Sequence, residues 1–143
     1  MSVAANRGAP AAEAWELLQR LMYDVHRPRF LALCSELDVT PPQLFTLQRL
    51  DADRAVPMSE LAKWLKCDAS NVTGIVDRLE ARGLVERRGA PGDRRVKMLA
   101  LTEEGAAFQR ELSRRMAEPP AALLALPIDD QRALRDIMRR ALG

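Results

Sequence analysis

Apolar residues recur at three- and four-residue steps through most of the chain, and alternate only in a short stretch after residue 83. Over residues 11 to about 37, Trp15, Leu18, Leu21, Met22, Val25, Leu33 and Leu37 predict an amphipathic helix. Pro28 falls inside it and is expected to kink or split it. Thr40-Pro41-Pro42-Gln43 reads as a second helix start, with Thr40 as N-cap, proline in the first turn and Gln43 completing a capping box. That helix turns Leu44, Leu47 and Leu50 inward and is expected to end near Ala52. Residues 53–57 read as a turn. Residues 59–65 form a short helix with Leu61, Trp64 and Leu65 on one face. Lys66-Cys67-Asp68 is a tight turn whose Asp68 caps the next helix. That helix buries Val72, Ile75, Val76 and Leu79, and Gly83 suits a left-handed C-cap.

Residues 84–88 and 96–101 alternate well enough to be strands, and residues 90–93 are a hairpin-loop sequence. Thr102 caps a long helix whose first turn holds Glu103 and Glu104, where acids suit the helix dipole. Pro119-Pro120 ends or bends it. Pro127 and Asp129-Asp130 open a last helix carrying Leu134, Ile137, Met138 and Leu142. Residues 61–102 therefore read as one device: helix, tight turn, helix, strand, basic loop, returning strand. The fold class is mainly α with a small β-wing, a winged helix-turn-helix. We expect a tail over residues 1–10 and a single domain over 11–143, with the winged helix-turn-helix at 41–101.

Composition changes little in this picture. The 143 residues suit one domain, and 4% aromatics among abundant Leu, Ala and Arg lean towards helix. Cys34 and Cys67 are too few for a disulfide scaffold. No apolar signal-peptide core or membrane-length apolar run is present, so a cytoplasmic location is expected. Net charge is only +2, yet six basic residues (Arg82, Arg87, Arg88, Arg94, Arg95, Lys97) face two acidic ones (Glu86, Asp93) between positions 82 and 97. That excess is a footprint for a polyanion.

The second helix of the motif fits a DNA major groove. With its apolar residues inward, it offers Ser70, Asn71, Thr73, Gly74, Asp77 and Arg78 outward. The short polar groups suit bases or phosphates, Gly74 permits close backbone approach, and Arg78 can grip guanine or phosphate. Asp77 either pairs with Arg78 or accepts from cytosine. At the hairpin tip, one of Arg94 and Arg95 suits the narrow minor groove while Asp93 holds the other. Arg87, Arg88 and Lys97 suit phosphates. The plain alternative for both faces is a solvated surface.

The segments SELAKWLKCDASNVTGIVDRLEARGLVERR and PGDRRVKMLALTEEG resemble the MarR family of winged-helix regulators. The Asp-Arg-Arg wing, the strand ending Leu-Thr and the following Glu-Glu-Gly carry the resemblance, which extends over about residues 12–142. It implies six helices and a homodimer built from helices at 11–37 and 103–142. It also implies a pseudo-palindromic double-stranded DNA operator, and usually repression released by a small molecule or by oxidation. Ser70, Asn71, Thr73 and Arg78 then fall on the recognition helix, and Asp93, Arg94 and Arg95 on the wing. The residues support the dimer too: Leu112, Met116, Leu123, Leu124, Leu134, Ile137, Met138 and Leu142 exceed what a small winged-helix body needs. A two-fold pair would set its recognition helices about one DNA turn apart.

For an effector, the resemblance points to a small aromatic or phenolic acid near the first helix. Trp15, Tyr23, His26, Arg27, Arg29 and Phe30 supply rings to stack and cations to pair with a carboxylate. Redox control through Cys67, before the recognition helix, is an alternative, as is a winged-helix protein-interaction module. No cofactor is expected, and one histidine with two cysteines makes a zinc site a poor fit. The chain lacks a phosphate-binding loop, a nucleophile elbow and an HExxH motif, which argues against an enzyme.

Overall fold

The computed structural model describes residues 8–66 and 68–143. Helix α1 spans Ala9–Arg20, a π-helical stretch Leu21–His26, and α2 Arg27–Glu36. Pro28 therefore does not split the helix. Arg27 donates its N–H to the carbonyl of Met22, five residues back, and this wider turn carries the helix past the proline. Helix α1 begins at Ala9, inside the expected tail, whose first seven residues lie outside the described ones. Then follow α3 (Pro41–Arg49), β1 (Val56–Pro57), α4 (Met58–Leu65), α5 (Ala69–Ala81), β2 (Val85–Ala90) and β3 (Asp93–Leu101). Last come α6 (Glu103–Ala117), the one-turn α7 (Ala121–Leu124) and α8 (Ile128–Leu142). Counting the first helix as one through its π turn, the described residues give the six expected long helices plus α7.

The chain divides into two compact units, one of residues up to Arg29 with Ala117–Gly143, the other Phe30–Met116. The winged-helix unit is larger than the expected 41–101, because its core recruits both flanking helices. One cluster joins Leu33, Cys34 and Val39 to Leu44 and Leu112. The other, beneath the recognition helix, holds Leu47, Leu61, Val72, Val76, Leu79, Leu84, Val85, Leu99 and Leu101 among others. Phe108 packs against both. Leu112 is thus fully buried in this unit and is not surplus apolar surface, as the sequence suggested.

Local signals are met closely at several joints. Thr40 and Gln43 form a reciprocal capping box. Helix α3 ends at Arg49 rather than near Ala52, and Gln109 of α6 closes its end by donating to the carbonyls of Leu47 and Leu50, both at 2.6 Å. Gly83 adopts φ +71 and ends α5, with the Leu84 N–H reaching the Leu79 carbonyl and the Gly83 N–H that of Glu80. Thr102 Oγ1 accepts from the Gly105 N–H at 2.9 Å and donates to the Gly83 carbonyl at 2.5 Å, tying α6 to the base of the wing.

The sheet order is β1-β3-β2, antiparallel throughout. Val56–Pro57, read as part of a turn, pairs instead with Leu99 and Met98. A proline on this edge strand withholds no needed ladder donor.

In the other unit, α1, the π stretch, α7 and α8 contain no buried residue. Trp15, Leu17, Met22, Tyr23, Leu124, Leu126, Ile128, Ile137 and Leu142 are all exposed there. Among the described residues, no helix is long and apolar enough to cross a membrane.

Candidate nucleic-acid interface

Helix α5 starts where Asp68 accepts from the Asn71 N–H at 2.9 Å and from the Ser70 hydroxyl at 2.8 Å. These bonds, the Asn71 N–H first, hold the Asp68 carboxyl below its ordinary value. Val72, Val76 and Leu79 are buried, Ile75 half-buried, and Ser70, Asn71, Thr73, Gly74, Asp77 and Arg78 exposed. The amphipathic reading of this helix therefore holds at each of these positions except Ile75, which is only half-buried. Ser70 already spends its hydroxyl proton on Asp68, which makes it part of the cap. A side chain at Gly74 would meet nothing within 4 Å, so that position is open to an approaching surface. The Arg78 side chain has no hydrogen-bond or ion-pair partner among the described residues, while its carbonyl accepts from the Arg82 N–H at 3.3 Å.

Asp77 pairs with Arg87 rather than with the expected Arg78. The Arg87 guanidinium, on β2, bridges Asp77 and Glu80 of α5, and the Arg87 N–H also reaches Glu80 Oε1 at 3.3 Å. The bond to Asp77 is the main cause that raises the Arg87 pKa further above its ordinary value. Arg88 is likewise committed, to Glu86 two residues back on the same strand. Arg82 donates to the carbonyls of Asp38 and Leu37. Of the six cations between residues 82 and 97, these three are therefore held by the protein itself. Sequence reasoning missed the Arg87 clamp because no periodicity links a helix face to a strand seven to ten residues later.

The remaining three cations sit on the wing. Residues pair regularly from Val85↔Leu101 to Gly89↔Lys97, then Ala90 pairs with Asp93. One step on β2 thus spans four on β3, so Arg94, Arg95 and Val96 stand out of the ladder as a bulge, a feature that re-aims side chains. The turn is only Pro91-Gly92, with Gly92 at φ +85, which suits the third position of a type II turn. Asp93 Oδ1 accepts from the Arg95 N–H at 3.0 Å and lies 3.8 Å from Arg95 Nε. The Arg95 side chain is otherwise 97% exposed. Arg94 lies against Gly89 and, like Lys97, has no ion-pair partner among the described residues.

Of the six proposed effector residues, five belong to the first unit and Phe30 to the winged-helix unit. Arg27 sits 5.9 Å over the Tyr23 ring, and Arg29 donates to the Glu118 carbonyl at 3.1 Å. Phe30 belongs to the winged-helix unit, where it stacks on Phe45 at 5.7 Å. Trp15 is exposed and His26 half-buried. A cavity of about 470 Å³ lies elsewhere, between α3, α4 and α5, lined by Phe45, Arg49, Trp64, Leu65, Asn71 and Ile75. There the Arg49 guanidinium sits 5.9 Å over the Trp64 ring. Cys34 is buried, which pushes its thiol pKa up, and Cys67 lies outside the described residues. Among the described residues, no cluster of His, Cys, Asp and Glu could hold a metal.

A helix with a polar outer face, capped at its start and backed by a basic two-stranded wing, defines a winged helix-turn-helix. The MarR family model matches residues 39–97. The multiple antibiotic resistance protein MarR of Salmonella typhimurium is 33% identical over 101 residues, covering 68% of this chain and 70% of that protein. The chain belongs to the MarR family. It is also 36% identical over 90 residues to the HTH-type transcriptional repressor MdtR of Bacillus subtilis, which covers 63% of this chain. That match spans 58% of MdtR, so the chain accounts for under two thirds of this relative's length. Among solved structures, the transcriptional repressor CouR bound to a 23-mer DNA duplex is similar with a TM-score of 0.60 and 29% identity. The similarity covers 90% of this chain and 96% of CouR.

Proposed function

We propose that the protein is a transcriptional repressor that binds an operator in double-stranded DNA as a homodimer. The observation that carries this reading is the pairing, in one compact unit, of an exposed polar helix face with three outward cations on a bulged wing. Asn71, Thr73, Gly74 and Arg78 meet base edges or phosphates in the major groove. Arg95 enters the minor groove, because Asp93 fixes its backbone and Nε side while leaving its terminal nitrogens outward. Arg94 and Lys97 meet flanking phosphates. Ser70 acts through the cap, and Arg87 and Arg88 through shape rather than contact. CouR, solved on DNA, supports the mode of binding.

The dimer rests on the N- and C-terminal helices. Nine large apolar side chains stand exposed on a unit with no buried residue among its described ones, far more than scattered singles. A two-fold partner covers them and gives the operator its pseudo-palindrome.

Release by a small planar aromatic anion is best supported at the cavity of α3, α4 and α5 rather than at the first helix. Its volume suits a small ligand, its walls are aromatic and its cation is Arg49. It borders Asn71 on the recognition helix, so occupancy there competes with DNA.

The test is fluorescence anisotropy on the DNA flanking the protein's own coding sequence, at two salt concentrations. Tight, sequence-preferring binding that falls steeply with salt is expected. Binding indifferent to sequence and salt would leave a protein-interaction module as the better reading. Sedimentation at micromolar concentration should give a dimer.

A further inference from the structure

Arg82 is the C-cap residue of the recognition helix, and its side chain turns back onto another part of the winged-helix unit. Its Nη1 donates to the Asp38 carbonyl at 2.5 Å and its Nη2 to the Leu37 carbonyl at 3.0 Å. Those two carbonyls lie just past the end of α2, where Asp38 sits in the left-handed region at φ +52. A cation is favourable at a helix C-terminus, and the planar fork of arginine presents two separate nitrogens to two acceptors in a fixed geometry. The guanidinium carbon also lies 5.4 Å from the centroid of the Phe108 ring, the side chain that packs against both core clusters.

We infer that Arg82 is a positioning residue for operator binding, joining the end of α5 to the end of α2 and so setting the angle at which α5 meets DNA. The inference rests on the DNA-binding reading above. Helix α5 has 13 residues and is about 20 Å long, so a tilt of about 5° at its C-terminus moves its first turn by roughly 1.7 Å. Asn71, Thr73 and Gly74 lie in those first turns. A hydrogen bond to a base edge does not survive a displacement of that size. The sequence places Arg82 among cations facing a polyanion. The geometry instead commits two of its nitrogens to protein carbonyls and places its guanidinium carbon over the Phe108 ring.

Positioning and phosphate contact leave different signatures. A phosphate contact contributes equally on any sequence and adds about one to the salt slope. A positioning residue matters only where base edges are read. The experiment compares the wild type with Arg82→Ala, Arg82→Lys and, as a phosphate-type reference, Lys97→Ala. Each is titrated over a salt series against a labelled duplex carrying the site that the wild type protects in a footprint of the DNA flanking its coding sequence, and against a scrambled duplex of equal length.

Folded Arg82→Ala should lose about tenfold on the mapped site, nothing on the scrambled duplex, and keep the wild-type salt slope. Arg82→Lys, which retains the charge but not the fork, should fall between the two. Equal losses on both duplexes with a shallower slope would make Arg82 a phosphate contact and overturn the inference. Wild-type affinity in a folded Arg82→Ala would overturn it as well. If Arg82→Ala does not fold, Arg82→Lys decides alone, and wild-type behaviour on both duplexes refutes the requirement for a fork. A wild-type protein that ignores sequence and salt would instead overturn the DNA-binding reading, and this inference with it.

Discussion

Replacing Gly105 by alanine separates the sequence view of this protein from the structural one. Position 105 lies in the first turn of α6, where propensity alone favours Gly→Ala by up to about 1 kcal/mol. In the structure, a Cβ built on Gly105 would lie 1.8 Å from the Leu84 carbonyl oxygen and 2.8 Å from its carbon. Real Cβ contacts essentially never fall under 3.0 Å, so the start of α6 and the base of β2 must separate by at least about 1.2 Å. That movement acts on three bonds: Thr102 N–H to the Leu84 carbonyl at 3.2 Å, Thr102 Oγ1 to the Gly83 carbonyl, and the Thr102 cap on Gly105. Losing two of them costs about 1 kcal/mol each, and relieving the overpacking costs about 1–3 kcal/mol more. Against a propensity gain of about 1 kcal/mol, the net loss is about 2–4 kcal/mol. For a chain of this size that lowers Tm by roughly 7–13 °C. The assay is thermal unfolding by circular dichroism at fixed protein concentration, since the proposed dimer would make Tm concentration-dependent. An unchanged or raised Tm would show that the close approach of α6 to Leu84 is not a constraint, and the reasoning would be wrong.

Other consequences can be checked alongside. Arg95→Ala should weaken operator binding and reduce the salt slope by about one, as read by anisotropy over a salt series. Arg87→Gln should leave Asp77 and Glu80 as unpartnered acids on the recognition helix; discounted for exposure, about 1 kcal/mol of stability is lost, seen as a lower urea midpoint, and operator binding also weakens. The Asp68 carboxyl is depressed in the folded state, so its cap contributes fully above the unfolded aspartate pKa and is lost as pH falls through the lower folded value. Below about pH 4 the wild type should therefore lose stability faster than Asp68→Asn, whose amide oxygen still caps α5; parallel acid melts would refute this. Cys34, buried and with a raised pKa, should stay unlabelled by a thiol reagent at neutral pH until the protein unfolds, as mapped by mass spectrometry of its peptide.

Most of the local structure was legible in the sequence because it is set by neighbours a few residues apart. Thr40 with Gln43, Asp68 before α5, Gly83 after it and Thr102 before α6 are caps that name their own helix ends. The inward stripe Val72, Val76 and Leu79 follows from helical spacing alone, and so does the outward set that makes α5 a candidate reading helix. What the tertiary structure decided are pairings that no local period encodes. Val56–Pro57 is a strand only because Met98 and Leu99 pass beside it. Leu112 looks like spare apolar surface until Leu44 and Leu33 close on it. The six cations from Arg82 to Lys97 are equivalent in the sequence. Asp77, Glu80, Glu86 and the carbonyls of Leu37 and Asp38 divide them, because charge is neutralised by whatever lies within a few ångströms in space. The division leaves Arg94, Arg95 and Lys97 facing outward and holds Arg82 and Arg87 against the protein.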